Sequence, residues 1–242
     1  MNRMRHGQTM SALLRLVLAA VFAALAFASI FVFHFKVAFL TFDLKDAIIA
    51  LAGLLLGPMV ALSISFLVPF LELITYSETG WYGFIMNFAS SAVFSVVCSA
   101  MYRYMKKLSG AIISLALGLV AMVTVMMGLN LVVTPFFTGL SGEEVAAMIP
   151  TLLLPFNVVK GVFNASLVLI LYKPVRRAMQ AAHIMPSTPH PAHVEADAAA
   201  MAAAKRKRIR VSVMVSAAGL ILLAVAIAVF YYVLHGQFEL FK

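Results

Sequence analysis

With 242 residues, 64% of them hydrophobic and only 11% charged, and a mean hydropathy of +1.03, the chain excludes a soluble globular domain and reads as an integral membrane protein. The net charge of +9 does not point to nucleic acid, because the basic residues fall in short clusters between apolar runs, where the positive-inside rule accounts for them. Cys98 is the only cysteine and lies within an apolar run, which excludes a disulfide framework and a cysteine-ligated metal.

Backbone groups in hydrocarbon must be satisfied within helices or a closed barrel, and runs of about 20 apolar residues without alternation select helices. The expected fold class is therefore all-α: a polytopic membrane helical bundle, with a six-helix core and an extra C-terminal transmembrane helix. The first span covers about residues 16–33 behind Arg3, Arg5 and Arg15. It is expected to be retained, since the run is long and no small-residue cleavage site with a polar segment follows. Ala20, Ala24 and Ala28 recur every four residues with Ala19 and Ala23 alongside, a flat strip that lets another helix approach closely.

Residues 34–42 (HFKVAFLTF) read as a short aromatic loop. Asp43 is placed as the N-cap of the second span and Asp46 in its first turn, where both favour the helix N-terminus and need no ligand. Gly57 and Pro58 stop that helix and start the next in a tight turn. The third span, about residues 59–76, carries Pro69, where a kink is expected, and Glu72, whose carboxylate pairs with Lys160, meets a ligand hydroxyl or reaches water. Trp81 and Tyr82 suit the membrane interface ahead of the fourth span, about residues 82–104, which carries Asn87 and ends on Arg103, Lys106 and Lys107. The fifth span, about residues 111–136, places Asn130 one turn before Pro135, and Glu143 and Glu144 then open a short loop helix.

The sixth span, residues 150–172, is membrane-length and apolar except at Asn157, Lys160 and Asn164. Those three fall within about 60° of one another on a helix, so one polar stripe looks into the protein. A mid-span lysine costs about 3 kcal/mol on insertion scales, so it is paired or faces water or a ligand. Beyond Lys173, Arg176 and Arg177 the alanine- and proline-rich chain reads as a linker. Its His183, His190 and His193 have no rigid frame, and no metal site is assigned to them. KRKRIR (205–210) then precedes a seventh span at about residues 211–234. The resulting division is 1–177 for a solute-binding membrane core, 178–210 for the linker and basic cluster, and 211–242 for the additional transmembrane helix. Fourteen of the eighteen lysines and arginines lie in the amino-terminal segment, after span four, after span six and before span seven. Alternating spans put all four places on one side, with the amino terminus cytoplasmic, the carboxyl terminus outside and the polar residues in a pocket that opens outward.

No G-x-x-x-x-G-K-[ST] loop is present, so the chain is not itself an ATPase, and no nucleophile-base or metal-hydrolase motif marks it as an enzyme. Amides donate and accept hydrogen bonds without charge, so several of them suit a neutral, polar, ring-bearing ligand, with aromatics of the first loop and Trp81 or Tyr82 over its flat face.

The segments FDLKDAIIALAGLLLGP (42–58), VPFLELITYSETGWYGFIMNFASSA (68–92), NLVVTP (130–135) and LLPFNVVKG (153–161) resemble the riboflavin-specific substrate-binding (S) subunits of energy-coupling factor (ECF) transporters. The resemblance covers about residues 10–177 and is carried most specifically by LLPFN-x-x-KG. It implies a six-helix membrane subunit that captures riboflavin outside with high affinity, as a transported ligand and not a cofactor. It further implies docking, in the bacterial plasma membrane, on a shared ECF transmembrane subunit that carries two ATPase subunits. Position by position it places Asn157, Lys160, Asn130 and Asn87 on the ligand, adds Glu72, and makes Phe39, Leu40 and Thr41 contacts of a gating first loop. Asn164 is included, with packing as its alternative, and Ala19, Ala20, Ala23, Ala24 and Ala28 would meet the shared subunit. The tail departs from the family pattern, which ends after six helices. An S subunit for another vitamin and a membrane assembly module without a solute remain as alternatives.

Overall fold

The computed structural model describes residues 10–185 apart from 76, 78, 106 and 107, together with 217, 221 and 224. The expected linker and seventh span lie outside the described residues, save for those three positions and the start of the linker. Helix α1 (Ala12–Val32) begins where the Ser11 side chain accepts the Leu14 N–H at 3.2 Å, capping an orphan donor of the first turn. The segment expected as an aromatic loop is instead a two-stranded antiparallel hairpin, β1 (His34–Val37) and β2 (Leu40–Asp43), in register Val37 to Leu40. Its two-residue turn has Ala38 at φ 54°, in the left-handed region where glycine is usual. Val37, Leu40 and Phe42 are buried against Val145, Leu153, Phe156 and Phe163, and this packing holds an alanine in a conformation it rarely adopts.

Asp43 consequently ends a strand and does not occupy the N-cap, although its carboxylate still accepts the Lys45 backbone N–H at 3.1 Å. Helix α2 (Lys45–Leu56) has twelve residues, about 18 Å of helix, so it is shorter than a bilayer core. Ten of those twelve are buried, which makes α2 the central helix of the bundle. Gly57 (φ 107°) turns the chain into α3 (Pro58–Thr75), which runs on through Pro69. Next come α4 (Gly80–Tyr104) and α5 (Leu108–Thr138). These two pack at the closest range a backbone allows: a Cβ on Gly118 would stand 2.2 Å from Cys98 Sγ and 2.9 Å from the Phe94 carbonyl. Cys98 is thus a packing residue, as its setting in an apolar run suggested.

Helix α6 (Gly142–Met148) opens with a capping box, in which Ser141 and Glu144 satisfy each other's backbone N–H groups, so both loop glutamates serve a helix start as expected. A π-helical turn, Ile149–Leu153, then leads into α7 (Leu154–Ala181). Among the described residues five helical runs, α1, α3, α4, α5 and the continuous stretch Gly142–Ala181, are long and apolar enough to cross a membrane.

The core has three parts. Phe22, Ala26 and Ile30 of α1 meet Ile49 and Ala52 of α2 and Ile64 of α3. On the other side of α2, Ala47, Ala50 and Leu54 meet α4, α5 and α7 through Phe94, Leu115, Met122 and Val168. The third part joins the hairpin to α6 and α7. In α1 the alanines divide between two faces. Ala23 is buried and Ala19 half-buried in the contact with α2 and α3, whereas Ala20, Ala24 and Ala28 are exposed. A single strip of all five is therefore corrected to an outward strip of three.

Candidate ligand pocket

One end of the bundle is hollow. The hairpin tip, the first turns of α4, the last turns of α5 and the start of α7 surround a cavity that opens to the surroundings. Its mouth is aromatic: Phe39 and Tyr82 each pack against Phe137, with ring centroids 6.5 and 6.2 Å apart. Trp81 turns away from the pocket and packs on Phe84. Below the rings, Asn87 (α4), Asn130 (α5) and Asn157 (α7) form an amide wall, with Met86, Met126 and Phe156 between them and Lys160 at the base.

What the amides have left to offer follows from their hydrogen bonds within the chain. Asn157 is placed one turn after the π-helical segment and gives one Nδ2 hydrogen to the Leu153 carbonyl (2.8 Å), keeping its second N–H and its oxygen. Asn130 gives one to Met126 (2.7 Å) and accepts from the Thr134 hydroxyl (2.9 Å). Asn87 has no hydrogen-bond partner among the described residues. By contrast Asn164, on the same stripe, is committed elsewhere: its Oδ1 accepts the Ala47 N–H (3.1 Å), its Nδ2 donates to the Lys160 carbonyl (3.0 Å), and it does not line the pocket.

Lys160 is similarly engaged. Its ammonium donates to the Thr41 carbonyl at 3.1 Å and to Asp43 Oδ2 at 3.2 Å, with Asp46 Oδ2 at 3.7 Å. It thereby ties the hairpin to α7 directly beneath the pocket. Asp46 in turn accepts hydrogen bonds from the hydroxyls of Ser91 and, at 3.4 Å, Ser90. Glu72, for which Lys160, a ligand hydroxyl and water were the alternatives, pairs with Lys45 at 2.6 Å and is not part of the pocket wall. Lys45 also lies 3.5 Å from Asp43, so two ammonium groups and three carboxylates form one buried ionic knot joining β2, α2, α3 and α7.

Lys45 was missed by sequence reasoning, though a signal exists: a cation in the first turn opposes the helix dipole and requires acids nearby. Phe137, Met86, Met126 and Phe156 were missed as well, because in a membrane chain an apolar residue on a pocket wall reads the same as one facing lipid. Of the residues expected at the site, the structure brings together Asn157, Lys160, Asn130, Asn87, Phe39, Leu40 and Thr41, and leaves out Glu72 and Asn164.

A family model for the ECF transporter substrate-specific component matches residues 14–172 of the chain. The chain belongs to this family of S components. The riboflavin transporter FmnP of Bacillus subtilis (strain 168) is 27% identical over 158 residues, which cover 60% of this chain and 83% of that protein. A solved S component of a bacterial ECF transporter, 24% identical, superposes with a TM-score of 0.59 over 69% of this chain and 97% of its own, and shows the shared fold. This S component is thus a multi-pass membrane protein from a family of transporter substrate-specific components. The family match ends before the linker.

Proposed function

We propose that this S component captures riboflavin from outside the bacterial plasma membrane and passes it inward with energy from partner ATPase subunits. The observation that carries the reading is a wall of three amides with unspent donors and acceptors beneath three aromatic rings. A flavin is flat, neutral and edged with hydrogen-bonding groups, and its ribityl chain adds hydroxyls. Asn87, Asn130 and Asn157 take the polar edge and the hydroxyls, Phe39 and Tyr82 cover the ring, and Leu40 and Thr41 contribute hairpin backbone at the mouth. Among the described residues Lys160 is the only charged one in the wall, and its ammonium is already taken up by Thr41, Asp43 and Asp46. A neutral vitamin therefore fits better than one that would need a free cation, and the relation to FmnP supports riboflavin in particular. The exposed strip Ala20, Ala24 and Ala28 meets the shared transmembrane subunit, and the amino terminus lies in the cytoplasm.

Riboflavin titration of the full-length, detergent-solubilised protein, followed by flavin fluorescence, tests this. Stoichiometric quenching is expected; Asn157→Ala should weaken binding about tenfold or more, the loss of about 1.4 kcal/mol of contact, and Lys160→Met should weaken it by releasing the hairpin that its ammonium holds through Thr41 and Asp43. Unquenched flavin, or unchanged affinity in both variants, would remove the assignment. Ala24→Leu should bind as the parent does yet abolish uptake in cells that hold the partner subunits; normal uptake would reduce the strip to a lipid-facing surface.

A further inference from the structure

We propose that the opposite end of the bundle holds a second binding site, for the phosphodiester headgroup of an anionic phospholipid. A hollow of about 390 Å³ opens there, among the start of α1, the end of α2 and the ends of α4 and α7. Three arginines line it from three helices: Arg15, Arg103 and Arg176. Among the described residues no carboxylate is in its wall and none of the three arginines forms an ion pair. The contrast with the rest of the protein is sharp, since every buried charge near the vitamin pocket has an opposite partner.

Two of the three guanidinium groups are held in place, and Arg103 is exposed. Arg15 Nη2 donates to the Leu56 carbonyl at 2.5 Å, one of the acceptors left over at the end of α2. Arg176 Nη1 donates to the Tyr172 hydroxyl at 3.0 Å, and its guanidinium lies 5.9 Å from the centre of that ring. Tyr172 is fixed in turn by the Tyr102 hydroxyl at 2.7 Å. A guanidinium has five N–H donors, so each anchored arginine still presents most of its planar fork, the geometry that suits a phosphate. Three such cations around one hollow repel one another until an anion enters.

The chemistry of the remaining wall selects between a lipid and a free phosphate. Met10, Leu55 and Met185 make one side of the cavity apolar, and Leu13 and Leu16 beside Arg15 are exposed on the helix surface. Cations set at helix ends next to lipid-facing side chains stand at headgroup level, and basic pockets between transmembrane helices take anionic headgroups.

Native mass spectrometry of the full-length protein with phosphatidylglycerol, cardiolipin or phosphatidylcholine added to the detergent tests the site. Phosphatidylglycerol and cardiolipin should be retained in preference to phosphatidylcholine. Each Arg→Gln change should weaken retention about fivefold and R15Q/R103Q/R176Q together about a hundredfold, the ordinary contribution of basic residues to anionic-lipid binding. Arg103 makes no hydrogen bond with the described residues, so R103Q preserves the fold and carries the test if the triple variant does not elute as a monodisperse helical protein. Equal retention of phosphatidylcholine, or undiminished anionic lipid in R103Q, would overturn the proposal. So would inorganic phosphate that displaces the lipid and raises the melting temperature as far as the lipid does, since that assigns the cavity to a soluble anion.

Discussion

The amide wall of the pocket and the ionic knot beneath it lie side by side and are built from the same kind of membrane-embedded polar residue, yet they are opposites. In the knot every group is answered: Lys45 by Glu72 and Asp43, Lys160 by Asp43, Asp46 and the Thr41 carbonyl, and Asp46 by two serines. In the wall, Asn87 has no partner among the described residues, and Asn130 and Asn157 each have hydrogen-bonding capacity left. A polar residue within a membrane bundle therefore marks a ligand site only where its donors and acceptors are unspent. Where they are spent it marks a joint between helices.

Lys45→Met breaks the comparison most severely. It leaves Glu72 and Asp43 short of a partner in a buried setting, for which about 3–5 kcal/mol of lost stability is expected in denaturant unfolding of the detergent-solubilised protein. Lys45→Met combined with Glu72→Leu should recover much of that loss. A single variant as stable as the parent would show that the knot is not a joint.

A smaller and more diagnostic effect separates two asparagines. Asn87→Ala should change stability by less than about 0.5 kcal/mol, because the amide makes no bond within the described chain, while riboflavin affinity drops about tenfold. Asn164→Ala should do the reverse, costing about 1–3 kcal/mol by stranding the Ala47 N–H, with little change in affinity for the folded protein. If both variants behave alike, spent and unspent groups do not divide as drawn.

Ser90 belongs to both regions, lining the pocket while donating to Asp46 over a long 3.4 Å. Ser90→Ala should be the mildest change, at most about 1 kcal/mol in unfolding. A loss of binding comparable to that of Asn157→Ala would move Ser90 wholly into the wall.

The first six spans were legible because lipid imposes length and continuity on each apolar run; the limits of the first five fall within a few residues of those expected, whereas α7 runs on to Ala181, past the expected end at 172. The stripe on α7 was legible too, since helical geometry alone gathers Asn157 and Lys160 on one face. The partners were not. Lys45 and Glu72 are 27 residues apart and Lys160 and Asp43 are 117 apart, and no local pattern pairs them. The hairpin escaped notice because its turn lacks glycine: Ala38 takes the left-handed conformation under the packing of Val37, Leu40 and Phe42. Nor did composition show α2 to be central, since a helix apolar nearly all round reads the same whether it is surrounded by protein or by lipid.

That enclosure bears on how the protein is made. Helix α2 is twelve residues long and carries Lys45 and Asp46 in its first turn, so by itself it is a poor substrate for lateral release into a bilayer. It enters as a passenger, joined to α3 by the tight Gly57 turn; Lys45 meets Asp43 and Glu72 once α3 is made, whereas Asp46, and Asp43 for its second partner, wait for α7, the last helix of the core to leave the ribosome, to deliver Lys160. Biogenesis of the binding end is then gated by translation of nearly the whole core, and a chain truncated before α7 would expose to membrane quality control the charges that the finished protein conceals.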